Sequence, residues 1–557
     1  TDGIVTAKQY SGNSFFIATE SGAWDGLYVY DYEIAPEIGD KLELTGTIDE
    51  YFGFTELKDI ESWTLIDSSM AVPEPTVLTT NELATMESYE SVLVKLENVT
   101  VTEIPDDYGQ WYVDDGSGEC QIDDNIFSVD DMRLNIEVGM TFDYLIGVVD
   151  YSYDEYSLNP RSAEDIEQTL QTEYVIDNTG SGDFTSFNEA FTFLNELTEI
   201  PAGGLTINVV SGQEFDENPD TLTVEGSETA PIMIQKDGEN ANPVIKNNEH
   251  ESVTLYLKNS SYVTFDGINL TDSTPADTNY VETAVLIQDC SYITFENASV
   301  TDFVDEGIYG DDLNNNITIN NNEIYFTEDF IHDTGTVYGI KAARNFGELA
   351  LDYEITNNIV RDLTSEAGVY AIRSESDCLI ANNFISVVSD GTSDKVYALR
   401  LGGDAGAVYD IYYNSIYVTG DFTDDVYMFT KFMMDGEFNV YNNLFVNEST
   451  VPEDAENFMI EAPYIGAAIF NFDYNLYYGP NAIMGDLNGT EYDDLSGWQA
   501  GAEIDSMSVW NDVDFTSDTD LHIAGESLGA EYMAANPITE VTTDIDGETR
   551  SEDYPYK

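Results

Sequence analysis

The sequence predicts an all-β chain in which two small barrels precede a long right-handed parallel β-helix, a solenoid capped at its N-terminal end by one helix. Three observations predict this. Short alternating strands separated by turn residues fill the first third and occur there twice over. An Asn-centred hexapeptide then recurs about once every 30 residues. A second, four-fold ladder that opens on Val-Tyr and ends on a basic residue in three of its four members runs beside it.

The first barrel is expected over 1–68. Its strands are Gly3–Gln9, Ser14–Ala18, Gly26–Tyr30, Lys41–Glu50 and Phe54–Leu57, with Gly39-Asp40 as the turn entering the fourth. The linker Ala71-Val72-Pro73-Glu74-Pro75 leads into a second barrel over 69–172. Its strands Ser91–Val101 and Trp111–Val113, and the run Gly139–Gly147, repeat the earlier order. The solenoid takes 173–557, with the cap helix at 185–198, rungs over about 205–480 and a closing region at 481–557. In the helix Phe187, Ala190, Phe191, Leu194 and Leu197 share one face. Such a helix hides the unpaired edge of a first rung.

The rungs follow from the repeat. Ile319–Ile324, Ile355–Val360, Ile380–Ile385, Ile411–Ile416, Val440–Phe445 and Phe472–Tyr477 share the form apolar-x-x-Asn-x-apolar. The common residues are Asn322, Asn358, Asn383, Asn414, Asn443 and Asn475, separated by 36, 25, 31, 29 and 32 positions. Phe265–Leu270 and Phe295–Val300 keep the apolar positions without that Asn. One turn cannot bury a face alone, whereas turns stacked at ~4.8 Å pair every backbone and share one core. Asn suits tight corners because it tolerates left-handed backbone, and stacked amides can bond from turn to turn. The second ladder is VYGIK at 337–341, VYAIR at 369–373, VYALR at 396–400 and VYMFT at 426–430. It places Lys341, Arg373 and Arg400 in a basic stripe, with Asp377, Asp394 and Asp404 near in sequence as partners.

Composition narrows the function. The 557 residues hold 108 Asp and Glu against 18 Lys and Arg, a formal charge of −90. Such a chain repels nucleic acid and acidic lipid surfaces, and attracts divalent cations. Only Lys8, Lys41, Lys58, Lys95, Arg133 and Arg161 are basic within 1–170, too scattered for a phosphate-binding groove. No nucleic-acid partner is expected. No apolar run is long enough for membrane insertion. Cys120, Cys290 and Cys378 form no even framework and read as buried hydrophobes, not disulfides or ligands. The chain opens at Thr1-Asp2-Gly3 without Met, as a processed or trimmed chain would.

Two resemblances add to this. The runs GDKLELTGTIDEYFGFTEL, ESVLVKLENVTVT and YSLNPRSAEDI resemble the OB-fold modules attached to secreted bacterial nucleases and surface proteins. The succession DYNLYYGPNAI, DDLSGWQAG, DVDFTSDTDLHI and TTDIDGETR, between Asp473 and Arg550, resembles the end of parallel β-helix domains in secreted and cell-surface proteins of Bacteroidetes-type bacteria. The resemblance implies an extracellular or cell-surface location and a structural role for His522. It departs from that pattern after Arg550, where Ser551–Lys557 replaces the closing strand, so either a cleaved end or an open last rung is expected.

Chemistry is sparse. Asp311-Asp312 is the one adjacent acid pair suited to glycoside hydrolysis, but no Gly-His-Gly accompanies it and His332 stands alone. A lyase needs a cation near a uronate carboxylate and a base, for which Lys341, Arg373 and Arg400 are the candidates. Asp544 and Asp546, together with the stretch Asp512–Asp520, are the candidate Ca²⁺ ligands. The expectation is therefore a non-enzymatic, acidic structural or adhesive protein with no catalytic residues and no cofactor beyond Ca²⁺. An open rung would template head-to-tail self-association into a filament. The alternative is a polysaccharide lyase or a glycan-binding protein acting on anionic polysaccharide.

Overall fold

The computed structural model describes residues 1–557 apart from 10–13, 107, 129–135, 170, 249–252, 274–279, 329, 331–334, 344–352, 391–394, 404–405, 433–434, 465 and 554. Arg133, His250, His332, Asp394 and Asp404 lie outside the described residues. The chain divides into two compact units, Thr1–Leu170 and Gln171–Lys557.

In the first unit, strands Asp2–Lys8, Phe15–Ala18, Gly26–Val29, Lys41–Tyr51 and Phe54–Asp67 close a barrel in the order 1-2-3-5-4, sealed by pairing of the first and fourth. Strands Leu93–Glu103, Trp111–Asp114, Cys120–Ile122, Thr141–Ser152 and Glu155–Asn159 repeat that order, and Thr141–Ser152 closes on Leu93–Glu103. In both copies the third and fifth strands are parallel. The two barrels share an apolar cluster built from Ala7, Phe16, Tyr28, Leu93, Ile126 and Val148, which joins them into one unit. A short helix, α1 (Thr80–Thr85), precedes the second barrel. Thr79 and Glu82 form its capping box, which stabilises the start of a helix too short to persist alone.

In the second unit each turn contributes one strand to each of three sheets. Sheet 1 runs from Glu173–Ile176 to Ile469–Asp473, sheet 2 from Glu214–Asp216 to Val509–Trp510, and sheet 3 from Val253–Lys258 to Thr490–Tyr492. They hold 11, 11 and 10 strands. Neighbouring turns pair in parallel, as in Ile319↔Ile355 and Ile355↔Ile380, so identical side chains stack. The inward columns make one continuous core, including Ile317, Ile319, Ile355, Ile380 and Ile411. Cys290 and Cys378 lie buried in this unit and Cys120 in the second barrel, all as free thiols.

Helix α2 (Phe187–Glu196) covers the first turns with Phe187, Ala190, Phe191 and Leu194 buried. The hydroxyl of Ser186 accepts from the Glu189 amide, and the Glu217 carboxylate accepts from the amides of Phe187 and Asn188 at 2.8 and 3.0 Å. These contacts satisfy donors that the first turn of a helix leaves without partners.

The C-terminal end differs from the expected open rung. The strand Ile483–Leu487 folds back on Thr490–Tyr492, and helix α3 (Leu495–Ala502) lays a fully buried Trp498 into the core. Among the described residues no helix is long and apolar enough to cross a membrane.

Candidate functional site

The six predicted asparagines sit one turn apart at the corner between sheets 1 and 2, all buried. The backbone N–H of each donates to the Oδ1 of the next: Asn322 to Asn358, Asn358 to Asn383, Asn383 to Asn414, Asn414 to Asn443 and Asn443 to Asn475, at 2.9–3.0 Å. Each Nδ2 donates to a carbonyl of the preceding turn, as Asn414 does to Ile380 at 2.8 Å. The ladder ends in a buried polar knot. Asn475 N–H donates to Ser508 Oγ at 2.8 Å, and the Asp505 carboxylate accepts from Ser508 Oγ at 2.6 Å and Trp498 Nε1 at 2.8 Å. Burial pushes the Asp505 carboxyl up, against these hydrogen bonds. The left-handed backbone belongs not to the ladder asparagines but to the residue before each: Asn321, Asn357, Asn382, Tyr413, Asn442 and Tyr474 all have φ of 54–64°. The ladder residue is thus selected by its amide, and its predecessor by its backbone.

Lys341, Arg373 and Arg400 are register partners on the outer face of sheet 3. Lys341 Nζ donates to Glu306 at 2.8 Å and sits 4.0 and 4.7 Å from the ring centres of Tyr309 and Tyr338. Arg373 pairs with Glu375. Arg400 lies 4.6 Å from the rings of Tyr397 and Phe432 and donates to Tyr370 Oη at 2.9 Å. It makes no ion pair among the described residues. The Nε atoms of Arg373 and Arg400 are buried without a described partner. Asp377, the described carboxylate of the three near the stripe, accepts from the amide of Val408 at 2.9 Å.

Beside the cations runs a column that the sequence reading leaves unassigned. Tyr338, Tyr370, Tyr397 and Tyr427 stack ring on ring at 4.8, 4.7 and 5.1 Å. The signal was the invariant second position of the Val-Tyr ladder. Because the rings face each other, their inner faces are already used and do not offer a platform to a sugar.

Two turns on from Arg400 in the same column stands Glu461, whose carboxyl burial pushes up to about 7 from 4.5. Between those pH values the unfolded chain loses its proton first, so this group lowers stability as pH rises from 4.5 through 7. Glu461→Gln is expected to remove that loss. Its stability advantage over the wild type should grow from near zero at pH 4 to about 3 kcal/mol at most by pH 8. Denaturant titrations at the two pH values check this, and a pH-independent difference would contradict it.

The remaining candidates are placed as follows. Asp311 accepts from Tyr309 Oη of its own turn at 2.7 Å and Asp312 from Gln288 Nε2 of the preceding turn at 2.6 Å, so each is taken up within the solenoid. Asp544 accepts from the amides of Asp546 and Glu548 at 3.1 and 2.9 Å. His522 lies between two carboxylates, touching Asp520 and 3.0 Å from Asp546. Burial works against its charge, but Asp520 and Asp546 hold its imidazole above the ordinary value. In the stretch 512–520, Asp514 accepts from the Glu526 amide at 2.8 Å. Among the described residues no group of three or more His, Cys, Asp or Glu side chains could hold a metal ion.

A groove of about 450 Å³ opens at the corner between sheets 1 and 2 in the earlier turns, lined by Asn242, Asn269, Asn297, Asn321 and Asn357 with Tyr325. A second cavity of about 500 Å³ shares Tyr325 and includes Arg361, whose guanidinium lies 3.9 Å over the Tyr325 ring.

Residues 220–385 match the family model described as a right handed beta helix region. No curated protein matches the chain. Solved structures similar to it include an alginate lyase from Paenibacillus sp. str. FPU-7, 13% identical over 59% of this chain and 96% of that one, with a TM-score of 0.35. Pectate lyase Pel9A is 12% identical over 69% and 96%, at 0.36. Carrot pectin methylesterase is 14% identical over 52% and 85%, at 0.31. The class defined by fold and matched family model is the right-handed parallel β-helix.

Proposed function

We propose that the chain is a non-enzymatic, extracellular structural and adhesive protein whose β-helix serves as a rigid rod. The observation that carries this reading is the state of the basic stripe. Lys341 and Arg373 are committed to Glu306 and Glu375, and Arg400 is enclosed by aromatic rings. With side-chain exposures of 17% and 20%, Lys341, which reaches Glu306 of the preceding turn, and Arg373, which pairs with Glu375 in its own turn and donates across to Tyr338 Oη at 3.4 Å, are placed to stitch turns together and not to meet a polymer from solvent. Converting all three to Gln leaves Glu306 and Glu375 unpaired and removes the cation–π contacts. The expected cost is on the order of 3 kcal/mol of stability, with no loss of any activity. Chemical denaturation of the variant checks it, and an unchanged midpoint would contradict the stitching role.

A second reading is favoured by two observations at the same face. The buried Nε–H groups of Arg373 and Arg400 could receive an anion, and Glu461 has the pKa of a general acid or base. Together they suit binding or β-elimination of an anionic polysaccharide. The surrounding charge of −90 opposes the approach of such a polymer, which is why the structural reading is preferred.

End-to-end association loses its basis in an open C-terminal rung, because Trp498 and the hairpin cover that end.

A further inference from the structure

The left-handed corner that follows sheet 1 carries outward side chains turn after turn, and the molecule uses the two halves of this column differently. In the later turns the column grips the chain's own C-terminal segment. Asn382 Nδ2 donates to Thr543 O at 2.8 Å, Asn442 Nδ2 to Asn536 O at 2.7 Å and Tyr413 Oη to Asn536 O at 2.9 Å. Asn442 Oδ1 accepts from Asn536 N at 2.8 Å. The amides thus satisfy backbone donors and acceptors of that segment. In the earlier turns the same column, Asn297, Asn321 and Asn357, faces the open groove of about 450 Å³, which Asn242 and Asn269 also line.

The floor beside the column decides what each half can hold. Under the C-terminal segment the outer positions of sheet 2 are Phe384, Ser415, Leu444 and Leu476, of which the three apolar ones pack with Val513, Leu521 and Met533. In the groove the equivalent positions are Asn269, Ser299, Glu323 and Ile359, polar in all but the last. A peptide laid there would find backbone partners but, Ile359 and Tyr325 apart, little to bury its side chains, and so would lack the main source of affinity. A polyhydroxylated chain needs donors and acceptors throughout and no apolar pockets. The partial pairings of the column leave it both: Asn321 Nδ2 donates to Asn297 Oδ1 at 2.6 Å and Asn357 Nδ2 to Asn320 at 2.8 Å, while each amide retains further bonding capacity. Charge excludes acidic sugars. Glu323 lies on the floor, and the nearby cation Arg361 is already paired with Glu323 and Asp362.

We propose that this amide-lined groove binds a neutral polysaccharide whose chain runs along the solenoid axis, one sugar residue to about one ~4.8 Å turn. The site is separate from the sheet-3 stripe and goes beyond the structural reading above.

The test is isothermal titration of the full chain with neutral hexasaccharides of β-linked glucose, mannose and xylose. Hexagalacturonate and a synthetic peptide copying residues 535–544 serve as the competing ligands. At least one neutral hexasaccharide should bind, and the acidic sugar and the peptide should not. Asn321→Gly with Asn357→Gly removes two amides yet tolerates the left-handed backbone at both corners, and should weaken binding about tenfold. Ser299→Tyr, which fills the groove and leaves the corners intact, should abolish it. The K341Q, R373Q, R400Q variant should bind as the wild type does. Absence of binding by all neutral sugars, affinity unchanged by both groove changes, or groove-dependent binding of hexagalacturonate or the peptide would each overturn the proposal.

Discussion

Asn414→Ala is expected to destabilise the solenoid by about 3–5 kcal/mol, one of the two largest effects of a single substitution in this chain. Asn414 is fully buried in the middle of the ladder. Its Oδ1 accepts both the backbone N–H and the Nδ2 of Asn383, at 3.0 and 2.9 Å, and its Nδ2 donates to Ile380 O and Asn443 Oδ1 at 2.8 and 2.9 Å. Truncation strands a buried amide N–H, removes a donor from a carbonyl and leaves a cavity. Asn414→Asp should be nearly as costly at neutral pH, because a carboxylate oxygen then faces Ile380 O and Asn443 Oδ1. It should recover in part at acid pH, where the protonated carboxyl regains a donor. Denaturant unfolding measures both. A cost below 1 kcal/mol for Asn414→Ala would show that the turns are held by their strands alone.

Trp498→Ala is the second large effect, about 3–5 kcal/mol. Its consequence should also be local. Stability of a stacked-turn protein is nearly a sum over neighbouring turns, and Trp498 closes the last of them. It also supplies the Nε1–H that Asp505 accepts while anchoring the ladder through Ser508. Amide exchange should therefore accelerate in Asn457–Ala462 and Ile483–Leu487 while Val253–Lys258 and Thr283–Gln288 keep wild-type protection. Uniform acceleration along the solenoid, or none, would contradict the role of this residue as a terminal cap.

What was legible in the sequence was what stacking forces to repeat. A buried amide that bonds to its own kind must recur every turn, so Asn322 through Asn475 stand out despite irregular spacing. The same holds for Lys341, Arg373 and Arg400. What escaped depends on context outside the repeat. Helix α3 has eight residues, two of them Gly, and buries only Leu495 and Trp498, too little for a helical period to show. The strand Phe54–Asp67 runs ten residues past Leu57, where the predicted strand ends, because most of that extension is exposed and lacks apolar alternation. Helix α1 was findable, since Thr79 and Glu82 spell its capping box. The corner column hid behind the ladder: Asn321, Asn357, Asn382 and Asn442 are each the first of an Asn-Asn pair whose second member drew the attention. That its later half is roofed by residues 536–543 is a long-range contact that no local pattern encodes.

The central claim, that the stripe on sheet 3 binds the turns together and performs no chemistry, meets its most direct test in one assay. The full chain is incubated with polygalacturonate and with alginate, and new unsaturated uronyl ends are followed by their ultraviolet absorbance. The account predicts no release above buffer at any pH from 5 to 9. Release that disappears in the K341Q, R373Q, R400Q variant, or in Glu461→Gln, would contradict it and make sheet 3 the active face of a lyase.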